Sequence, residues 1–465
     1  MQATKDMTVG SPGRLLVGFA LPLLMGNIFQ QLYIFADTIV VGQVLGVKAL
    51  AAVGAVEWMI FLMFGFIQGL TQGFSVAIAQ RFGSSDYKGV RKAVISAAYL
   101  SIAGAILFTL SGQIMIYPVL RLLHTPMEII GLSHSYLRIL YAGIPVTMAY
   151  HLFSAILRAL GNSKAPLKAM TIASLCNVVL DILFVFVFGW GIGGAAFGTL
   201  LAQLLAAVFC FAELNKIEIL RLEKKDYRTD AGMILEQCRL GIPMGLQNVI
   251  TAAGGLVVQS VVNGFGVLFI AGYTAANKLY GLLEIAASSY GYAMSAYTGQ
   301  NMGAGFVGRI KKGLRAANLT GIVTALLMST IMLVFGKMIL GCFIAGDVTD
   351  VNAAVRTGYR FLTVLACFFP FLYVLYVIRA CVQGMGNSVL AMFSSIVQLA
   401  MRCGCALLLP SLIGESGVFY GEVLAWIGAD IMLGWWLWLR FGKWEKKKEN
   451  TGEHGEVIYG TNESE

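Results

Sequence analysis

The chain has 465 residues, 58% of them hydrophobic and 12% charged. Soluble domains carry about 25% charged residues, so this composition excludes a soluble globular class and implies a polytopic membrane protein in a lipid bilayer. The formal net charge of +9 does not call for a nucleic-acid partner, because the basic residues lie mainly between hydrophobic runs, where orientation signals sit.

A spanning helix needs about 20 mostly apolar residues. The first 14 residues are polar and are expected to form a cytoplasmic N-terminal segment without a cleavable leader, since the apolar run that follows is too long for one. Twelve candidate runs then follow: 15–44, 51–79, 92–119, 131–156, 167–188, 192–214, 236–263, 267–298, 313–341, 356–381, 389–411 and 415–440. Pro22, Pro145, Pro243 and Pro370 fall within runs and are candidate kinks. The expected fold class is an all-α polytopic membrane protein with twelve transmembrane helices in two pseudo-symmetric six-helix lobes.

Charge alternates along the connections. Basic clusters follow runs 2, 4, 6, 8 and 12, including Arg81, Lys88, Arg91 and Lys92, then Arg158, Lys164 and Lys168, and later Arg309, Lys311, Lys312 and Arg315. The odd-numbered connections are poorer in basic residues, apart from the ninth, where Arg356 and Arg360 open run 10. The positive-inside rule then places both termini in the cytoplasm of a multi-pass protein of the inner or plasma membrane, and an even helix count agrees with that. The expected domains are a six-helix lobe at 15–214, a cytoplasmic linker at 215–235 with a short surface helix, a second lobe at 236–440, and a disordered tail at 441–465. The eight cysteines show no C-x-x-C pair or metal-ligand spacing and read as small packing residues.

The halves match at an offset of about 220 residues, a duplication in parallel orientation. Pro22 and Asn27 align with Pro243 and Asn248, Pro145 with Pro370, and Leu160-Gly161-Asn162-Ser163 with Met385-Gly386-Asn387-Ser388. Such duplications place a substrate path between halves that rock about it. The halves differ where it matters chemically. Asp37 aligns with Val257 or Val258, Asn177 and Asp181 with Arg402 and Ala406, and Thr199 with Glu422. Arg402 and Glu422 are therefore read as a structural ion pair.

A carboxylate inside a membrane helix costs roughly 2.5–3.5 kcal/mol on insertion scales and marks a functional site by default. Asn27, Gln30 or Gln31, and Asp37 share one face of the first run, with no lysine or arginine in that run within reach of Asp37. Asn177 and Asp181 are four apart on run 5, and Thr199 and Gln203 are four apart on run 6. Together Asp37, Asn177, Asp181 and Thr199 would form an oxygen-rich cluster in one half. Two carboxylates in a dry setting repel, and a shared proton or a Na⁺ would relieve them; the residues leave both ions open. Candidate substrate-cavity residues are Asn27, Gln30, Gln31, Gln247, Asn248 and Glu284. No cofactor is expected. No nucleotide phosphate loop and no nucleophile–base spacing occurs, which argues against an enzyme.

Taken in order, Pro22…Gln30-Gln31…Asp37…Gly42…Gly46, Gln80-Arg-Phe-Gly83, Arg158-Ala-Leu-Gly161-Asn162-Ser163…Pro166…Asn177…Asp181 and Gly191-Ile-Gly193-Gly194-Ala195-Ala196…Thr199 resemble the multidrug and toxic compound extrusion (MATE) family over about residues 10–440. The resemblance implies efflux antiport of small organic, often cationic, compounds against H⁺ or Na⁺, by a monomer alternating between two lobes. It implies that Asp37, Asn177, Asp181 and Thr199 are ion-coupling positions, with Tyr141 as a further member. Run 7 and run 10 lack the membrane-embedded acids that one branch of the family carries, so coupling by the first lobe is expected, as in the branch resembling the DNA-damage-inducible F proteins. The competing expectation is a lipid-linked glycan flippase of the wider superfamily, which would need a basic cavity; the first half's intramembrane charges are mainly acidic.

Overall fold

A computed structural model describes residues 4–228, 230–342 and 348–451. Among the described residues there are thirteen α-helices and no strand: α1 (Pro12–Val40), α2 (Val47–Gly83), α3 (Tyr87–Leu122), α4 (Met127–Ala142), α5 (Ile144–Ala159), α6 (Lys164–Asp181), α7 (Gly191–Asn215), α8 (Ala231–Val262), α9 (Val267–Gly303), α10 (Val307–Gly341), α11 (Val348–Gly384), α12 (Ser388–Ile413) and α13 (Gly417–Thr451). Ten helices are long and apolar enough to cross a bilayer. The fourth hydrophobic run is broken into α4 and α5, which bend by 48° and together, counted as one broken span, would bring the number among the described residues to eleven. The break falls at Gly143, where a Cβ would sit 2.1 Å from Leu200 Cδ2 of α7. Pro145 follows in the first turn of α5, where its missing N–H costs nothing. The eighth run is α9, a 37-residue helix made more polar by Asn277, Lys278, Glu284 and several tyrosines.

The chain forms two units, Met1–Asp6 with Leu21–Gly245, and Met7–Ala20 with Leu246–Glu465. Lobe boundaries at 15–214 and 236–440 therefore need correcting. Residues 15–20 of α1 pack in the second unit and residues 236–245 of α8 in the first. Each change of unit falls inside a helix close to its proline, Pro22 or Pro243, a position that cannot complete the backbone ladder.

Close backbone packing explains why the start of α8 stays with the first unit. Gly69 and Gly73 of α2 face Gly241 and Gly245 of α8; a Cβ on Gly73 would lie 2.4 Å from Gly241 Cα, and one on Gly69 would lie 2.3 Å from the Met244 carbonyl oxygen. Small residues four apart on both helices let the backbones meet, as in membrane helix pairs generally. In the second unit α9 and α11 cross in the same way, with a Cβ on Gly272 falling 2.2 Å from the Ala354 carbonyl oxygen.

The segment between α7 and α8 forms two short 3₁₀ turns, Glu218–Leu220 and Lys224–Tyr227, where one surface helix was expected. It is clamped to α3 within the first unit: Arg91 Nε lies 2.8 Å from Asp226 Oδ2, which also accepts from the Glu223 amide at 2.9 Å. Further along, Arg81 makes a two-pronged ion pair with Glu236, and Gln237 Nε2 donates to the Ala93 carbonyl at 2.7 Å. The first residues are docked as well. The Lys5 amide donates to the Leu160 carbonyl at 2.9 Å in the first unit, and the Met7 amide donates to Gln300 Oε1 at 2.8 Å in the second.

The expectation of a disordered tail from 441 is corrected as far as Thr451, because α13 runs on to that residue. Its last described turns are tied down by an ion pair between Glu445 and Lys311 and by the Arg440 guanidinium, 5.1 Å from the centre of the Trp444 ring. The remaining tail, 452–465, lies outside the described residues.

Candidate ion site in the first unit

Asp37 sits near the end of α1, four residues before a π-helical turn at Val41–Leu45, and Asp181 is the last residue of α6, directly before a second such turn at Ile182–Val187. The two turns pack against each other. Wide turns of this kind shift the helical register and recur at functional sites. Here they bring the two carboxyl-bearing helix ends together, near enough that the charges on Asp37 and Asp181 act on each other.

Three oxygens in this cluster are left open. Asp37 Oδ1, Asn177 Oδ1 and Asp181 Oδ2 are buried and accept no hydrogen bond from the described residues. Asn177 turns its amide Nδ2 to Asp181 Oδ1 at 3.3 Å, so its carbonyl oxygen points elsewhere. Asp181 is wholly buried and Asn177 is 1% exposed. An open oxygen at that depth leaves the full desolvation cost uncompensated, about 1–3 kcal/mol for a neutral acceptor and more for a charged one. The other wall is α7. A Cβ at Gly198 would come 2.6 Å from Asp181 Oδ1, so only glycine admits the carboxylate there. Thr199, half-buried, is the next residue along that helix, and Gln203, one turn further, is held by the Thr147 hydroxyl at 2.6 Å.

Two tyrosines complete the surroundings. Tyr33, one turn before Asp37 on α1, and Tyr136 on α4 are each in electrostatic range of both Asp37 and Asp181. Tyr141, the tyrosine expected here, is bonded elsewhere. Its hydroxyl donates to the Met59 carbonyl at 3.2 Å, and its ring lies against Gly112 of α3. Tyr136 is the tyrosine of α4 near the carboxylates. Beyond the cluster, Phe184, Phe188, Trp190 and Phe197 stack together where α6 passes to α7, with the Phe184 and Trp190 rings 4.9 Å apart.

The candidate cavity residues are spread over both units. Asn27, Gln30 and Gln31 are half-buried on α1, and Gln30 bonds Tyr33. Gln247 is buried and accepts from Gln383 Nε2 at 2.9 Å, and Asn248 beside it is half-buried. Glu284 lies inside the second unit, where the Tyr376 hydroxyl donates to it at 2.6 Å. That bond fixes its carboxyl within the packing of α9 and α11. Arg402 Nη2 lies 2.6 Å from Glu422 Oε2, with both side chains at most 10% exposed.

The family model MatE matches residues 22–183 and again 243–404 of this chain. The chain belongs to the MATE family. The double match recovers the internal duplication, and MATE proteins are transporters rather than enzymes. Among similar proteins is the probable multidrug resistance protein YpnP of Bacillus subtilis (strain 168), 30% identical over 95% of this chain and 98% of its own length. Another is the multidrug export protein MepA of Staphylococcus aureus (strain NCTC 8325 / PS 47), 22% identical over 88% of this chain and 89% of its own. Among solved structures, the outward-facing conformation of a multidrug resistance MATE transporter of the MOP superfamily superposes with a TM-score of 0.89, at 24% identity, covering 96% of this chain and all of the other. The two-lobe all-helical MATE fold follows from that likeness.

Proposed function

We propose that this protein is a secondary active efflux antiporter that exports small organic compounds, cationic ones among them, in exchange for H⁺ or Na⁺. The observation that carries this reading is the set of three open, buried oxygens on Asp37, Asn177 and Asp181. Two carboxyl groups and a carboxamide oxygen, with Tyr33 and Tyr136 in range and Thr199 next to Gly198 on α7, form a hard-oxygen donor set. Such sets suit a proton or a hard metal cation. A monovalent cation there removes the repulsion between the carboxylates and satisfies the open oxygens. Its loss restores both penalties, and a site with two energies can bias one lobe arrangement over another. The name of a similar protein, the multidrug export protein MepA, supports the direction of transport. The flanking charges support a multi-pass protein of the cell membrane with both termini in the cytoplasm.

The test is ethidium export by the purified protein in proteoliposomes under an imposed pH or Na⁺ gradient. Asp37→Asn and Asp181→Asn are each expected to abolish gradient-driven export while the proteins still fold and insert. Undiminished export by either variant under the gradient that drives wild type would overturn the assignment.

A further inference from the structure

The second unit lacks counterparts of Asp37 and Asp181, yet its interior is not free of charge. Five ionisable groups converge from four helices: Glu284 on α9, Arg379 on α11, Arg402 on α12, and Glu422 and Asp430 on α13. Two guanidinium groups face three carboxyl groups. With every group ionised the cluster would hold one uncompensated negative charge in a low-dielectric interior, which is costly.

The hydrogen bonds show where that excess falls. Glu422 is paired directly with Arg402 at 2.6 Å. Glu284 accepts from the Tyr376 hydroxyl at 2.6 Å, and Tyr280 also bonds it. Asp430 has neither kind of support: both of its carboxyl oxygens are buried, and neither has a hydrogen-bond partner among the described residues. Arg379 is the cation in electrostatic range of Asp430, but its guanidinium is engaged elsewhere, Nε with Ser394 Oγ at 3.1 Å and Nη2 with Gln398 Oε1 at 2.5 Å. The aromatic packing nearby, Tyr280 against Trp426 and Phe369 against Trp426, is buried.

We propose that Asp430 is a second proton-carrying site, in the second unit, whose occupancy is read by Arg379. With the proton on Asp430, the remaining two cations and two anions balance, and Arg379 rests on Ser394 and Gln398. When the proton leaves, the Asp430 carboxylate becomes an unpaired anion in electrostatic range of that guanidinium. Arg379 then exchanges two neutral acceptors for a charged one, a stronger bond. Arg379 of α11 links Asp430 to the rest of this balance: it is in electrostatic range of Asp430, of Tyr376 on its own helix, of Arg402 on α12 and of Glu284 on α9, and Glu284 is in turn in range of Glu422 and bonded by Tyr280. The site is separate from the oxygens of the first unit, so it stands or falls independently of the ion-site assignment there.

Two measurements on the full-length protein test it, and neither depends on transport. Infrared difference spectra at neutral pH should show the carbonyl stretch of a protonated carboxylic acid that Asp430→Asn removes and Asp37→Asn leaves in place. In thermal melting, Asp430→Asn should keep the wild-type midpoint, because the amide copies the neutral acid, whereas Arg379→Gln should lower it. An infrared band indifferent to Asp430→Asn would overturn the proposal. So would a melting midpoint that falls with Asp430→Asn as far as with Arg379→Gln, which would mean that Asp430 is an ionised partner of Arg379.

Discussion

Removing one partner of the Arg402–Glu422 pair should destabilise the second unit far more than removing both. The guanidinium and the carboxylate are 2.6 Å apart, at 8% and 10% side-chain exposure, and Arg402 Nη1 also donates to the Thr251 carbonyl at 3.2 Å. Arg402→Met keeps most of the side-chain volume against Gly254 of α8, where the Arg402 side chain packs, but leaves Glu422 as an unpaired acid in a dry interior. Breaking a buried pair this way costs about 3–5 kcal/mol. The double variant Arg402→Met/Glu422→Leu removes the orphaned charge together with its partner, and replacement by apolar groups is neutral or even stabilising in such cases. The expected coupling between the two sites is therefore about 3 kcal/mol or more, well above the error of a double-mutant cycle. The cycle is measured as chemical and thermal unfolding of the four proteins in one detergent, followed by tryptophan fluorescence. Single variants that melt with wild type, or a double variant no better than Arg402→Met alone, would refute the reasoning that the pair is held by mutual neutralisation.

Gly73→Leu should be destabilising by about 1–3 kcal/mol or more, since the added side chain meets the backbone of Gly241 and not a flexible neighbour; Gly18→Ala, which meets nothing within 4 Å, is the matched control and should melt with or slightly above wild type. Asp226→Ala removes both the Arg91 pair and the acceptor for the Glu223 amide. It should loosen the segment between α7 and α8 by about 1–3 kcal/mol, seen as faster hydrogen exchange and proteolysis confined to residues 216–230; unchanged protection there would show that the clamp is not what holds the segment.

The duplication and the count of hydrophobic runs were legible because each rests on patterns longer than any local exception. Asn177 and Asp181 were legible because four residues is one helical turn, so they must share a face whatever the rotation of α6. The tyrosine was not. Tyr136 and Tyr141 both lie on α4, and five residues apart puts them about 140° apart around the axis. They cannot both face the carboxylates, and only the packing of α4 against α2 decides between them: Ser133 bonds the Ala52 carbonyl and Tyr141 the Met59 carbonyl, which turns Tyr136 toward α1 and α6. The unit boundaries were hidden for a similar reason. Hydropathy ends a lobe where a helix ends, but α1 and α8 change unit in mid-helix, and the glycines that anchor α8 are spread over two distant segments that the chain brings together only on folding.

The asymmetry of the duplication gains its meaning from the coordinates. Asn177 and Thr199 in the first unit correspond to Arg402 and Glu422 in the second. Where the first unit leaves carbonyl and carboxylate oxygens open, the second places a guanidinium that its own chain supplies, bonded at 2.6 Å. A tethered cation cannot dissociate, so on the proposed reading this position of the second unit is permanently filled and fixed in one arrangement. The first unit carries Asn177 rather than a guanidinium at the matching position, and on the proposed reading the charge that completes it comes from solution. A guanidinium installed in the first unit at the matching position, Asn177→Arg, should therefore copy the filled state. The variant should fold and insert, and it should lose every dependence of export on the ion gradient; ion-driven ethidium export at the wild-type rate would show that the two positions are not equivalent after all.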